Sequence, residues 1–571
     1  MARAMAAALT VLLFSAGHAS AQDTLTVGQP VNRAIAAGAA HEYTIALEAG
    51  DYVAGAVDQR GIMVLAAVFA PDGSRLRNFG GPREGKRTLA FIAERAGTYR
   101  LELRAPSVAE AAEQGGSQAG NGTYELKLIE RLAFDERMKA PPQQDRYPSP
   151  AIEALRTQIA AGDLNTDAFW QRITQGGTPL VEPIEGETKR TRVTFLWRGT
   201  PETRNVMVVG SFTTGLPTDY AMTRLAGSDV WYLTVRVPSG SRFAYALSPN
   251  DPQTVDPSRD PSRAAQRGAT VQGDPLNPRR WGCSQPNATR HDCQSMVELP
   301  GAPPQPWIVR NDKVPAGKVD KHKIASDLLK NERNLSVYTP PDYRANARPY
   351  ALLVLFDESA YLNNVPTPVI LDNLIAAGRI PPMVAVLIAN PSQDTRNKEL
   401  PPNPAFADFL ATELLPWVHA RYTVTSDPKL TTVAGSSYGG IAATYAGLRH
   451  PDVFGNVLCQ SGSFWWAPER SGFVDADATT ETGWLAKEFI KSPKLPLRFW
   501  MDAGVFEVDS RGTGGAILEP SRHMRDVLLA KGYEVHYQQF NSGHDYLNWR
   551  GTLADGLIAL VGTETARPPS R

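Results

Sequence analysis

One serine in this chain has the surroundings of a nucleophile. Ser437 stands in Gly435-x-Ser437-x-Gly439, after the apolar run Leu430–Ala434 and before a helical pattern that begins near Ile441. A strand, a tight turn and a helix in that order form a nucleophile elbow. The serine projects above the sheet at the start of a helix, where free N–H groups favour a developing negative charge. The small residues two before and two after it are read as a demand of the sharp bend.

A serine hydroxyl is a poor nucleophile until a base takes its proton. Behind an elbow of this kind the partners follow in the order acid, then histidine. Four histidines follow Ser437. His450 lies at the far end of the elbow helix, His523 sits mid-helix, and His536 falls inside the strand Val535–Phe540. His544, in Ser542-Gly543-His544-Asp545, falls in a loop just past a late strand, at the edge where open α/β sheets bind ligands. His544 is therefore assigned as the base. The acid belongs after the strand Leu497–Met501. Asp502, Glu507 and Asp509 are available, as is a Ser–His pair with no strong acid. Glu507 is preferred, because Gly504 opens the loop and Asp502 still belongs to the strand end. An oxyanion hole needs two N–H groups. Tyr438 supplies one, and the loop after Ala351–Phe356 supplies the other, from Asp357 or Glu358.

Near-continuous apolar runs alternate with helical patterns from Lys323 onward. The runs are Leu335–Thr339, Ala351–Phe356, Met383–Ile388, Leu430–Ala434, Asn456–Gln460, Leu497–Met501 and Val535–Phe540. That pattern predicts a parallel sheet covered on both faces, wound by right-handed crossovers. With the elbow at its centre it is an α/β-hydrolase fold spanning 322–565.

The remaining chain reads as two all-β sandwiches. Residues 24–131 hold short alternating runs separated by turns such as Ala49-Gly50-Asp51 and Pro71-Asp72-Gly73. Residues 167–281 hold a second set. A polar, proline-rich linker with a short helix occupies 139–166, and a second proline-rich linker occupies 282–321. Residues 1–21 read as an export signal, with Arg3, an apolar stretch and Ala19-Ser20-Ala21. A periplasmic or secreted protein follows from that reading. In such a compartment Cys283 and Cys293 are expected to oxidise and close the polar loop between them, whereas Cys459 lies in an apolar run. Lys+Arg 59 against Asp+Glu 59 leaves no basic excess for nucleic acid. No later stretch reads as a membrane span, and no Cys/His cluster has metal spacing. Composition leaves the oligomeric state open.

Several stretches carry family resemblances. Gly50-Asp51-Tyr52-Val53, Pro71-Asp72-Gly73 and Ala96-Gly97-Thr98-Tyr99 resemble the pre-peptidase C-terminal domain of secreted bacterial enzymes, which implies an accessory role. Gly177–Glu182, Val193–Arg198, Ser228–Trp231 and Asp274–Pro278 resemble the N-terminal domain of enterochelin esterases. The last domain resembles the same family, within the esterase D group. The carrying residues are Arg396-x-x-Glu399-Leu400, Glu413–Pro416, Ala434–Gly440, Gln460–Trp466, Gly504-x-x-Glu507, Gly543-His544-Asp545 and Trp549-Arg550-Gly551.

The resemblance implies Ser437, Glu507 and His544 as the catalytic set, with Tyr438 and Glu358 at the oxyanion hole. It implies cleavage of the serine ester bonds of enterobactin and its iron complex, without a cofactor; iron arrives with the catecholate siderophore. Where relatives tend to have glycine after the aspartate of the oxyanion loop, this chain has Glu358. Arg396 and Arg550 are candidates to hold iron-bound catecholates, and Trp465, Trp466 and Trp549 to stack on the rings. The competing assignment is a structural Arg396–Glu399 pair with packing tryptophans. Two other functions fit in part: a carbohydrate-acyl esterase of the feruloyl or acetylxylan type, and a non-catalytic siderophore-binding protein.

Overall fold

The structure is a computed structural model that describes residues 23–79, 85–107, 110, 121–133, 148–213, 217–252, 261–283, 288–468, 483–508 and 516–563. The export signal and Asp509 lie outside the described residues, as do 108–109, 111–120 and 134–147. Two compact units divide the chain, Met1–Glu136 and Arg137–Arg571.

In the first unit, alternating side chains build two sheets around one core. One sheet runs Asp23–Thr24, Ala40–Leu47, Gly97–Arg104, Leu65–Phe69, Arg75–Phe79, and the other Pro30–Ile35, Gly122–Leu132, Tyr52–Arg60, Gly85–Ile92. Tyr43 and Leu101 from one sheet pack with Val53 and Leu126 from the other. That shared core makes the unit a sandwich, as its period-two pattern predicts.

The second unit opens with helices Pro150–Ala160 and Asp167–Gly176, whose Ile152, Leu155 and Trp170 pack on Leu196 and Tyr232. A second sandwich follows. Its sheets are Leu180–Ile184, Glu187–Arg198, Val230–Pro238, Thr223–Arg224 and Val206–Gly210, Arg242–Pro249, Gln294–Glu298, Arg280–Trp281. Phe195, Trp231 and Tyr245 fill its core. The stretch read as a linker supplies the strand Gln294–Glu298. The disulfide Cys283–Cys293 joins that strand's lead-in to Trp281.

The last sheet has eight strands in the order Lys318–Ser326, Asn331–Thr339, Met383–Ile388, Ala351–Phe356, Thr431–Ser436, Asn456–Gln460, Arg498–Gly504, Glu534–Phe540. All pairs from Met383–Ile388 onward are parallel. The first two strands are antiparallel to their neighbours, so the sheet is mixed rather than wholly parallel. Lys318–Ser326 escapes the sequence reading because an edge strand is kept polar, here by Lys318, Asp320, Lys321 and Lys323. Alternate residues along each central strand enter opposite cores. Val354, Val433 and Val457 face the helices Pro404–Phe409, Tyr438–Arg449 and Leu518–Ala530. Leu355, Ala434 and Leu458 face Thr367–Ala376 and Tyr546–Val561. The helix expected over 405–420 runs continuously over 404–419, with a π turn at Leu410–Leu414. Pro416 has no N–H to give, and the wider turn absorbs that loss. Among the described residues no helix is long and apolar enough to cross a membrane.

Candidate active site

The elbow strand Thr431–Ser436 is buried throughout, and Ser437 follows it at φ 59°, ψ −121°. A non-glycine residue held there costs about 1–3 kcal/mol, which the surroundings must offset. They do so through the backbone. Ser437 N–H donates to the Gln460 carbonyl at 2.9 Å, and its own carbonyl accepts from Ser463 N at 3.1 Å and from Gly440 N at 3.0 Å. A Cβ on Gly435 would stand 2.7 Å from the Gly439 backbone, and one on Gly440 would stand 2.9 Å from Cys459 Sγ. At Gly439 the nearest atom is 3.5 Å away. The demand for small residues thus falls on 435 and 440 more than on 439.

Glu507 and His544 meet at the same carboxyl edge of the sheet. Glu507 Oε1 lies 2.6 Å from His544 Nδ1, and Oε2 accepts from Gly504 N at 2.6 Å. The Glu507 side chain is 1% exposed and that of His544 40%. A buried carboxylate with both oxygens used holds Nδ1 as the protonated nitrogen, leaving Nε2 to accept a proton. Asp502 is directed elsewhere: it accepts from Ser461 N at 3.0 Å and Trp500 Nε1 at 3.3 Å. Complete burial pushes its carboxyl up to about 7. Two other histidines are engaged elsewhere, His450 with Asp408 at 2.8 Å and His536 with Glu534 at 3.1 Å.

Ser437 and His544 are linked through one shared set of contacts. Ser437 Oγ lies 3.4 Å from Ser463 Oγ, and Ser463 rather than His544 is its hydrogen-bond partner here. Gln460, which holds the Ser437 N–H, donates from Nε2 to the Trp549 carbonyl at 2.8 Å. The Trp549 ring stands edge-on to His544, with centroids 4.8 Å apart. Proton transfer therefore requires the hydroxyl to turn from Ser463 toward the imidazole, a bond that commonly tightens only with substrate in place. Ser463 lies within Gln460–Trp466, but nothing in its spacing assigns it a role.

Two helix starts adjoin at the proposed oxyanion hole. Tyr438 is the first residue of its helix, and Glu358 is the first of Glu358–Asn363 on the neighbouring strand. Asp357, at φ 57°, turns the chain from the strand Ala351–Phe356 into the helix Glu358–Asn363. Its carboxylate takes both Arg396 Nε at 2.7 Å and Nη2 at 2.8 Å, and Asn390 Nδ2 at 2.6 Å. Arg396 thus clamps the oxyanion loop. Its predicted alternative partner, Glu399, pairs instead with Arg333 at 2.8 Å. The Glu358 carboxylate turns to the Ser336 hydroxyl and to Lys321, 3.6 Å away.

Two of the three candidate aromatic rings are buried. Trp465 is 1% exposed and packs with Tyr438, Ala503 and Leu518; Trp549 is 2% exposed, with its N–H on Ser461 Oγ at 3.0 Å. Rings so enclosed form the walls beneath the serine and histidine and have no free face for a catechol. Trp466 is partly buried against Trp484. Arg550 donates to Gln305 at 2.8 Å and lies 4.9 Å over the Trp281 ring. Burial first, then the charge of Arg242, pulls it down to about 10.

A strained serine at a strand–helix elbow, a buried Glu–His pair and two adjacent helix starts, set on this mixed sheet, define a serine ester hydrolase of the α/β-hydrolase class. Comparison with known proteins narrows the class. The family model for enterochelin esterase, N-terminal, matches residues 192–308, and the Esterase model matches 326–560. An iron(III) enterobactin esterase of Dickeya dadantii is 32% identical over 74% of this chain and 99% of its own length. An iron(III) salmochelin esterase of Escherichia coli is 28% identical over 73% of this chain and 99% of its own. The crystal structure of the enterobactin esterase from Shigella flexneri in the presence of enterobactin superposes with a TM-score of 0.53, at 29% identity, over 69% of this chain and 97% of that one. The chain belongs to the enterochelin esterase family.

Proposed function

We propose that this protein hydrolyses the ester bonds of enterobactin-type catecholate siderophores, with or without bound iron, and so releases the metal. The observation that carries the reading is the Glu507–His544 hydrogen bond, made at the sheet edge that holds Ser437. His544 Nε2 takes the Ser437 proton as Oγ attacks a lactone carbonyl. The N–H groups of Tyr438 and Glu358 receive the oxyanion, and Glu507 stabilises the imidazolium. His544 then protonates the departing serine hydroxyl of the siderophore and next activates the water that frees Ser437. Iron belongs to the substrate and enters no step. The enterobactin and salmochelin esterases among the relatives, together with the matched N-terminal module, favour a siderophore over a feruloyl or acetyl sugar.

The export-signal pattern read in residues 1–21 supports a periplasmic or secreted setting, and the turn motifs of the first sandwich support an accessory binding or stabilising role. The test is product analysis with ferric enterobactin, iron-free enterobactin and methyl ferulate. Expected is turnover of both enterobactin forms far above that of the ferulate, lost at least about 10³-fold in Ser437→Ala. Parent-rate turnover by Ser437→Ala, or a preference for methyl ferulate, contradicts the reading.

A further inference from the structure

We propose that the second sandwich is a positioning module for the acid–base pair, acting through residues next to Glu507 and His544. This rests on the assignment of that pair above. The contacts fall on the immediate neighbours of both groups. A Cβ on Gly543 would stand 1.7 Å from the Ser211 carbonyl oxygen, so the base loop lies flat on the sandwich backbone. On the other side of His544, Asp545 Oδ1 accepts from Trp281 Nε1 at 3.1 Å while also capping the last helix through Leu547 N at 2.9 Å. The acid loop is held in the same way. Phe506, adjacent to Glu507, packs into the sandwich core edge-on to Phe243, with centroids 6.4 Å apart.

The brace is itself fixed. The Arg242 N–H donates to the Asn541 carbonyl at 3.1 Å, and Arg242 is 4% exposed with its guanidinium on Glu298 at 2.9 Å. Within the esterase domain the two loops are joined by Phe506 N to the Ser542 carbonyl at 3.0 Å. The sandwich therefore grips one paired element at three points, each a single residue from a catalytic side chain. Displacements well below an ångström separate a productive acid–base pair from an idle one. A bystander domain has no reason to close on these residues.

Trp281→Phe in the full chain removes the indole N–H and keeps an aromatic ring. Expected is a kcat about tenfold lower with KM within about twofold. The second-order rate of inactivation by a fluorophosphonate, which reads serine activation without the siderophore, falls in parallel. The downfield imidazole N–H resonance of the His544–Glu507 bond shifts or broadens. Phe506→Leu, which withdraws the other grip, gives the same split and carries the test if the first variant folds poorly. Parent kcat and inactivation rate in folded variants overturn the proposal, as does a change confined to KM, which marks a substrate contact. A His544→Ala protein that keeps activity removes the pair and the brace with it; that outcome is distinct from an unchanged Trp281→Phe in an enzyme that needs His544.

Discussion

At the scale of single residues, charge and burial separate groups that sequence leaves equivalent. Asp502 lies in the strand Arg498–Gly504 and Glu507 just past its end, yet one serves Ser461 and the other the imidazole. Glu507→Gln keeps the shape of the side chain but loses the charge facing the imidazolium; kcat is expected to fall about 10²–10⁴-fold with little change in KM, measured on any turned-over ester. Asp502 bears on stability instead. Its folded carboxyl, raised to about 7, keeps its proton where the unfolded group has lost it. Its contribution is therefore intact below about pH 4, declines as pH rises to about 7 and is flat above, by up to about 4 kcal/mol. Subtracting the denaturation profile of Asp502→Asn from that of the parent is expected to show that decline; a flat difference contradicts it. Arg396 offers a third contrast. If it clamps Asp357, Arg396→Lys lowers kcat about tenfold or more, whereas a substrate contact would raise KM. The order serine, acid, histidine was legible because it is a property of chain sequence. The roles of Arg396, Trp465 and Trp549 were not, because a motif records which residues recur and not which face of each is covered.

At the scale of elements, two loops carry the chemistry and both depend on near contacts. Gly435→Ala places a methyl group 2.7 Å from the Gly439 backbone, which has no side chain to move aside. The elbow must open, with an expected loss of about 2 kcal/mol or more in denaturant unfolding and at least about 100-fold in kcat. Removing the disulfide by Cys283→Ser and Cys293→Ser frees a loop with sequence separation 10, beside Trp281. The chain-entropy estimate is a loss of about 3 kcal/mol, and an unchanged midpoint would contradict it. The buried strands were readable from their apolar runs, whereas the edge strand Lys318–Ser326 and the closing strand Gln294–Glu298 were hidden inside polar, proline-rich sequence. At Lys318–Ser326 that polarity protects a sheet edge, whereas Gln294–Glu298 is paired on both sides.

At the scale of the whole molecule, the first sandwich is a unit of its own, and the matched relatives reach almost full length without using the whole of this chain. A chain beginning at Arg137 is expected to fold and to hydrolyse soluble ester within about twofold of the parent rate; loss of activity would tie the first unit to catalysis. The siderophore's acyl group passes through the hydroxyl of Ser437, which is tested by rapid quenching with ferric enterobactin followed by peptide mass spectrometry. Expected is a transient acyl adduct of the cleaved siderophore on the peptide holding Ser437, accumulating and then decaying during turnover. Turnover with the adduct on another side chain, or undiminished in Ser437→Ala, would contradict it.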